Sequence, residues 1–347
     1  MLDFTNTKIA YEGITTFSLM RKKFMLTLLQ FPIIMTFGEK YLSLAKKLRF
    51  LPYKFFIRPT FFSQFCGGIS LESCEKIMKI NLDKLTSCCF FYSSEHSCNN
   101  VDMQKLLEET ILSIKLQNKL QVDERKRFAI IKVTGLISFR LLCKIQNGDN
   151  LSVAEVVQCK EFYEKIDLLC KKAKEYNVKL MFDAEETWVQ NAIDNIVLEK
   201  MKEYNKEKCI IYTTLQMYRI DRPAYLNNLI KISRKENIYI GIKLVRGAYL
   251  VQENIRAKEE SRESPLFSTK RWTDKAYDDA LKICFDNLDT IYLFAGSHNE
   301  KSMYLFANYV DNKGALGRQN AIASQLYGMS DHITFNLSRA GYSVCKY

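Results

Sequence analysis

The sequence predicts an α/β fold, a (β/α)8 TIM-like barrel preceded by a helical segment. Three observations carry this. Eight short, β-rich apolar runs appear from about residue 85 onward. Seven amphipathic helical stretches separate them. Polar residues gather where successive runs end. Strand alternating with helix gives a parallel sheet. Eight such repeats with reactive groups at one end match the barrel arrangement. A doubly wound sheet is the structural alternative, but none of the 13 glycines forms GxGxxG, and GxxxxGK[ST] is absent.

Residues 1–80 are helical in tone, as in "EKYLSLAKKL", and form the expected N-terminal helical segment. Residues 81–347 form the expected barrel domain. Its runs are "SCCFFY" (87–92), "FAIIKVT" (128–134), "KLMFDAE" (179–185) and "CIIYTTLQ" (209–216). "IYIGIKLV" (238–245), "TIYLFAGS" (290–297), "NAIASQL" (320–326) and "YSVCKY" (342–347) follow. Helical patterns such as "EFYEKIDLLCKKAKEYN" and "AYLNNLIKISRKEN" lie between them.

Composition narrows the function. The chain is 47% hydrophobic and 26% charged, which is globular. The net charge of +12 is scattered, without an RNA- or DNA-reading motif, so no nucleic-acid partner is expected. The eleven cysteines include no CxxC, and Cys143, Cys159, Cys170 and Cys284 sit among apolar residues. Reduced thiols are therefore expected. His96, His298 and His332 are too dispersed for a metal site. "FMLTLLQFPIIMTF" (24–37) is too short to span a bilayer and reads as a buried or membrane-surface helix. The first 20 residues hold one Lys, no Arg and two acids, so no transit peptide is visible.

The strand ends carry the chemistry. In "FAIIKVTGL", alternation places Ile130, Lys132 and Thr134 on one face. A lysine facing a barrel interior needs a carboxylate; the alternative is an edge lysine reaching water. "LMFDAEETW" ends with Asp183 and Glu185 on one face, and Asp183 is the expected counter-ion of Lys132. In "GIKLVRGAY", Lys243, Val245, Gly247 and Tyr249 alternate to one side, and Gly247 lets a ligand approach the backbone. "AGSHNE" opens a helix, with Asn299 or Ser297 as N-cap and free amides suited to a phosphate.

In this order the runs "IKVTG", "LMFDAEET", "TTLQMY", "IKLVRGAY", "SHNE", "QLYGM" and "AGYSVCKY" resemble the proline dehydrogenase family, mitochondrial type. "TFFSQFCGG" also resembles a family segment ahead of the barrel. The resemblance implies FAD held without a Rossmann motif and oxidation of L-proline to Δ1-pyrroline-5-carboxylate. It also implies electron delivery to a membrane quinone, peripheral contact with the inner mitochondrial membrane and a matrix-side location. Asp183 and Ala184 match flavin-contacting positions, and Gln216 matches a glutamine at the isoalloxazine. Lys243 matches a cation near flavin N5. Val245, Gly247 and Ala248 match backbone packed on FAD; His298 and Asn299 match flavin-site positions. Lys132 matches a lysine reaching the substrate carboxylate. Tyr249, Leu326 and Tyr347 match walls of the proline pocket. Lys132, Asp183 and Lys243 are thus the expected catalytic group.

Two departures stand out. "TSCCFFYSSEHSC" lacks the family's acidic run after strand one. The family also follows strand eight with a helix bearing paired arginines that fork the substrate carboxylate. The sequence stops at Tyr347, so the expectation is a barrel with its last helix missing and an uncovered flank beside strands eight and one. Lys132 alone would then hold the carboxylate. The alternatives are a non-catalytic flavin-binding relative, or a hydroxyproline dehydrogenase, against which Tyr347 argues by its bulk.

Overall fold

The computed structural model describes residues 2–28, 30–31, 60, 62–92 and 99–347. His96 and half of the apolar run 24–37 lie outside these residues. Among the described residues, no helix is long and apolar enough to cross a membrane.

All eight runs form strands, each shorter than its run: β1 (Ser87–Cys88), β2 (Phe128–Ile131), β3 (Lys179–Phe182), β4 (Ile211–Gln216), β5 (Ile240–Val245), β6 (Ile291–Gly296), β7 (Ala321–Gln325) and β8 (Val344–Lys346). They pair in parallel in the order β1-β8-β7-β6-β5-β4-β3-β2. One parallel bridge, Phe90 to Ala129, links β1 to β2 and closes the circle. The fold is a (β/α)8 barrel.

The helices are α1 (Thr7–Ala10), α2 (Thr16–Leu28), α3 (Leu71–Asp83), α4 (Asn100–Leu120), α5 (Phe139–Asn147), α6 (Val153–Glu175), α7 (Thr187–Tyr204), α8 (Arg222–Glu236), α9 (Leu250–Glu259), α10 (Lys270–Asp286), α11 (Glu300–Asn320) and α12 (Asp331–Arg339). Sequence chemistry sets their starts. Ser152 and Glu155 form a reciprocal capping box on α6. Pro223 sits in the first turn of α8. Asn299 caps α11 by accepting from the Ser302 amide. Helix α3 runs from Leu71 to Asp83, across residue 80.

Strand alternation sorts the core into two layers. Phe128, Ile130, Met181, Tyr212, Phe294, Ile322 and Cys345 fill the barrel interior. Their sequence neighbours, such as Ile131, Leu180, Leu215, Ile242 and Val344, pack outward against the helices. Gly241 leaves room inside for Tyr212, because a Cβ there would lie 2.5 Å from the tyrosine ring. The ten described cysteines are free thiols; Cys170 and Cys284 are buried, while Cys143 and Cys159 are half-buried.

The flank beside β8 and β1 differs from expectation. Val344 and Ser87 are buried, and α3 packs on β1. The N-terminal segment supplies cover that was expected to be lacking.

Candidate active site

A cleft of about 710 Å³ opens at the C-terminal ends of the strands. Its lining includes all thirteen residues matched to the family's site positions, from Lys132 after β2 to Tyr347 after β8. Parity explains the convergence. Thr214 and Gln216, Lys243 and Val245, and Cys345 and Tyr347 continue the inward-facing sets of β4, β5 and β8.

The floor is a buried ion pair. Lys243 Nζ lies 2.6 Å from Asp183 Oδ1. The Tyr347 hydroxyl donates to Oδ2 of the same carboxylate, and its ring centroid lies 3.8 Å from Lys243 Nζ. Burial and the adjacent Asp183 push the Tyr347 hydroxyl well above its usual range, so it stays protonated and donating.

This corrects the expected Lys132–Asp183 pair. Strand β2 ends at Ile131, and a 3-10 turn follows at Val133–Gly135. Lys132 therefore leaves the strand and donates to the Tyr249 hydroxyl at 3.0 Å. The turn also takes Thr134 off the inward face. Its amide and hydroxyl both bond the Glu185 carboxylate, which is fully buried. Burial pushes the Glu185 carboxyl up to about 7, against the pull of the Thr134 bonds.

Gln216 ties two loops together. Its Nε2 donates to the Glu185 carbonyl at 2.9 Å, and its Oε1 accepts from the Ala248 amide at 3.0 Å. Gly247 adopts φ +140° and carries no Cβ because the Tyr218 ring fills that space at 2.5 Å. Val245, Gly247 and Ala248 thereby present backbone to the cleft.

Arg246, the cation directly after β5, is absent from the expected site residues. It lines the cleft, bonded to Asp274 (2.6 Å), Ser297 (2.8 Å) and Ser302 (2.9 Å), with its guanidinium 4.4 Å from the Tyr277 ring centroid. Lys270 lines the cleft as well. Thr214 and Ser324 were legible by parity and went unassigned; Gln325, on the outward parity of β7, had no such signal. His298 Nδ1 sits 2.9 Å from Ser330 Oγ. The surrounding protein, aided by repulsion from Lys346 and His332, lowers the pKa of His298, although its ring remains partly exposed.

The family model for proline dehydrogenase matches residues 74–347. The chain belongs to the proline dehydrogenase family. It is 30% identical over 285 residues to the carbapenem antibiotics biosynthesis protein CarD of Pectobacterium carotovorum subsp. carotovorum, covering 82% of this chain and 73% of that protein. It is 27% identical to the mitochondrial proline dehydrogenase 1 of Dictyostelium discoideum, covering 89% of this chain and 62% of that one. For the human mitochondrial proline dehydrogenase 1 the identity is 36%, over 56% of this chain and 33% of that one. Among solved structures, proline utilization A from Bdellovibrio bacteriovorus, inactivated by N-propargylglycine, superposes with a TM-score of 0.71. Identity there is 18%, over 82% of this chain and 30% of that one, and the likeness concerns the fold. This proline dehydrogenase family chain thus spans from under a third to about three quarters of the length of these proteins.

Proposed function

We propose that this chain oxidises L-proline to Δ1-pyrroline-5-carboxylate with FAD in the barrel-top cleft, and that a membrane quinone receives the electrons. The observation that carries the reading is the buried Asp183–Lys243 pair, walled by Tyr347, on the floor of a cleft lined by the family's residues. Family membership and the names of the relatives support the substrate. Relatives named mitochondrial support a mitochondrial location; a matrix-side position with peripheral contact to the inner membrane is part of the proposal.

The donor set fits FAD. Arg246, Lys270 and the start of α11 at Asn299 place positive charge at one side of the cleft, suited to a pyrophosphate. Ala184, Val245, Gly247 and Ala248 offer small, backbone-rich surface for a planar ring. Bound FAD would supply the hydride acceptor. Lys243 would stabilise negative charge developing beside it, and Asp183 holds that ammonium in place. Gln216 fixes the two loops that bound the ring site. His298 and Asn299 would contact the cofactor. Lys132 would bind the substrate carboxylate, while Tyr249, Leu326 and Tyr347 wall the ring. A division into an N-terminal segment, residues 1–80, and a catalytic barrel, residues 81–347, goes with this reading.

The test is anaerobic absorbance of the purified chain near the flavin band, about 450 nm, before and after adding proline. Bleaching supports the reading. A flavin spectrum indifferent to proline would replace it with a flavin-binding role without catalysis.

A further inference from the structure

The loop between β7 and α12, residues 326–330, carries Leu326 into the cleft and presents Ser330 to His298. Its backbone turns left-handed at two positions, and at Ser330 this costs steric strain. Gly328 has φ +76°, and Ser330, a residue with a Cβ, has φ 49° and ψ 43°. Such backbone persists where surrounding contacts over-determine it. The contacts here come from three separate parts of the chain. From β8, Lys346 Nζ donates to the Met329 carbonyl at 2.6 Å, lies 3.5 Å from the Leu326 carbonyl, and pairs with Asp331 at 2.9 Å. From α2, Lys22 pairs with the other Asp331 oxygen at 2.9 Å. From residue 64, Gln64 Nε2 donates to the Gly328 carbonyl at 2.6 Å. A Cβ at Gly328 would lie 1.8 Å from the Gln64 carbonyl oxygen, so the two backbones are in contact.

Stability alone does not call for a lysine at 346. That position faces outward from β8 and is 2% exposed, where an apolar side chain would avoid the desolvation cost. A lysine there delivers two directed contacts to one loop and a third to Asp331, the residue that follows it. Lys22 and Gln64 both precede residue 74, where the family match begins.

We propose that Lys346, Asp331 and Lys22 form a positioning clamp that fixes the 326–330 loop, and that residues ahead of the family-matched region thereby complete the substrate wall. The clamp sets Leu326 against the pocket and orients His298 through Ser330. Its link to substrate rests on the proline-oxidising reading above; its geometry does not.

The test compares Lys22→Met, Lys22→Arg and Lys346→Met with the parent chain carrying its flavin. Amide hydrogen exchange is read at Tyr327 and Met329, which donate to Tyr347 and Leu326, and at β6 as an internal reference. KM and kcat for proline are read in parallel. The clamp predicts exchange about tenfold faster in the loop of Lys22→Met, with β6 unchanged, and a KM raised by a similar factor at nearly constant kcat. Lys22→Arg should restore both, and Lys346→Met should exceed Lys22→Met in the loop. Unchanged loop exchange in both methionine variants overturns the clamp. Faster loop exchange with an unchanged KM overturns its role at the substrate wall. Faster exchange throughout the barrel would make Lys346 a general stability residue and also overturns the proposal. A parent chain that ignores proline removes the proposed activity, while the exchange comparison still decides the clamp.

Discussion

Tyr347 and Lys243 grip the same carboxylate from two sides. The tyrosine hydroxyl donates to Asp183 Oδ2, the lysine holds Oδ1 at 2.6 Å, and the ring lies over the ammonium. The charge at the cleft floor is therefore paired, hydrogen-bonded and capped by an aromatic face.

Removing Lys243 should expose how much that pairing matters. Lys243→Met leaves Asp183 buried without its cation, at a cost of about 3–5 kcal/mol. The double variant Lys243→Met, Asp183→Asn should recover part of that loss. Urea unfolding of the parent, both single variants and the double variant gives the coupling. A Lys243→Met chain within about 1 kcal/mol of the parent would show that the pair does not act as a buried one.

Tyr347 separates two effects. Tyr347→Phe keeps the ring over Lys243 and loses one hydrogen bond, so stability should fall by only about 1 kcal/mol. Tyr347→Ser opens space beside the substrate ring. The ratio of kcat/KM for hydroxyproline to that for proline should rise roughly tenfold. A ratio unmoved by the serine would remove Tyr347 from the pocket wall.

Glu185 gives a pH dependence with a definite sign. Its carboxyl is raised from 4.5 to about 7 by burial. The folded chain holds this proton more tightly than the unfolded chain. The stabilisation is full below about pH 4.5 and is lost as pH rises through 7. Glu185→Gln should flatten stability over that window, by a difference on the order of 3 kcal/mol between its two ends. Urea midpoints for parent and variant at both pH values check it; parallel curves would mean that Glu185 is not the titrating group.

Gly247→Ala should cost about 1–3 kcal/mol and distort the cleft, because both the backbone angle and the Tyr218 ring oppose a Cβ. Gly148→Ala is the control. Gly148 has φ +72° but open space around it, so only the backbone penalty applies. Thermal melts that rank the two variants equally would show that the Tyr218 contact gives way.

Most of the fold was legible. Eight β-rich runs gave eight strands in chain order, but their limits moved at both ends: β1, β2 and β3 stop early, where a turn such as Val133–Gly135 took over from alternation, and β4 and β5 start late. Alternation brought Asp183, Gln216, Lys243, Val245 and Tyr347 to one cleft, and the loops that follow the strands brought the other nominated residues there. Arg246 was visible as a cation, but its anchoring by Asp274, Ser297 and Ser302 was not.

By itself, the sequence determined the barrel, the end of it that carries the chemistry, and the residues that face inward. Those properties follow from a period of two along each strand and from strand order along the chain, and both are local. Only the tertiary structure decided the partners. Asp183 pairs with Lys243 rather than Lys132, Thr134 turns to Glu185, and Lys22 reaches Asp331 across 309 positions. Periodicity states which face a side chain occupies. Which groups meet there depends on where each strand gives way to a turn and on how the closed barrel sets its strand ends side by side, and neither is written in any single run of residues.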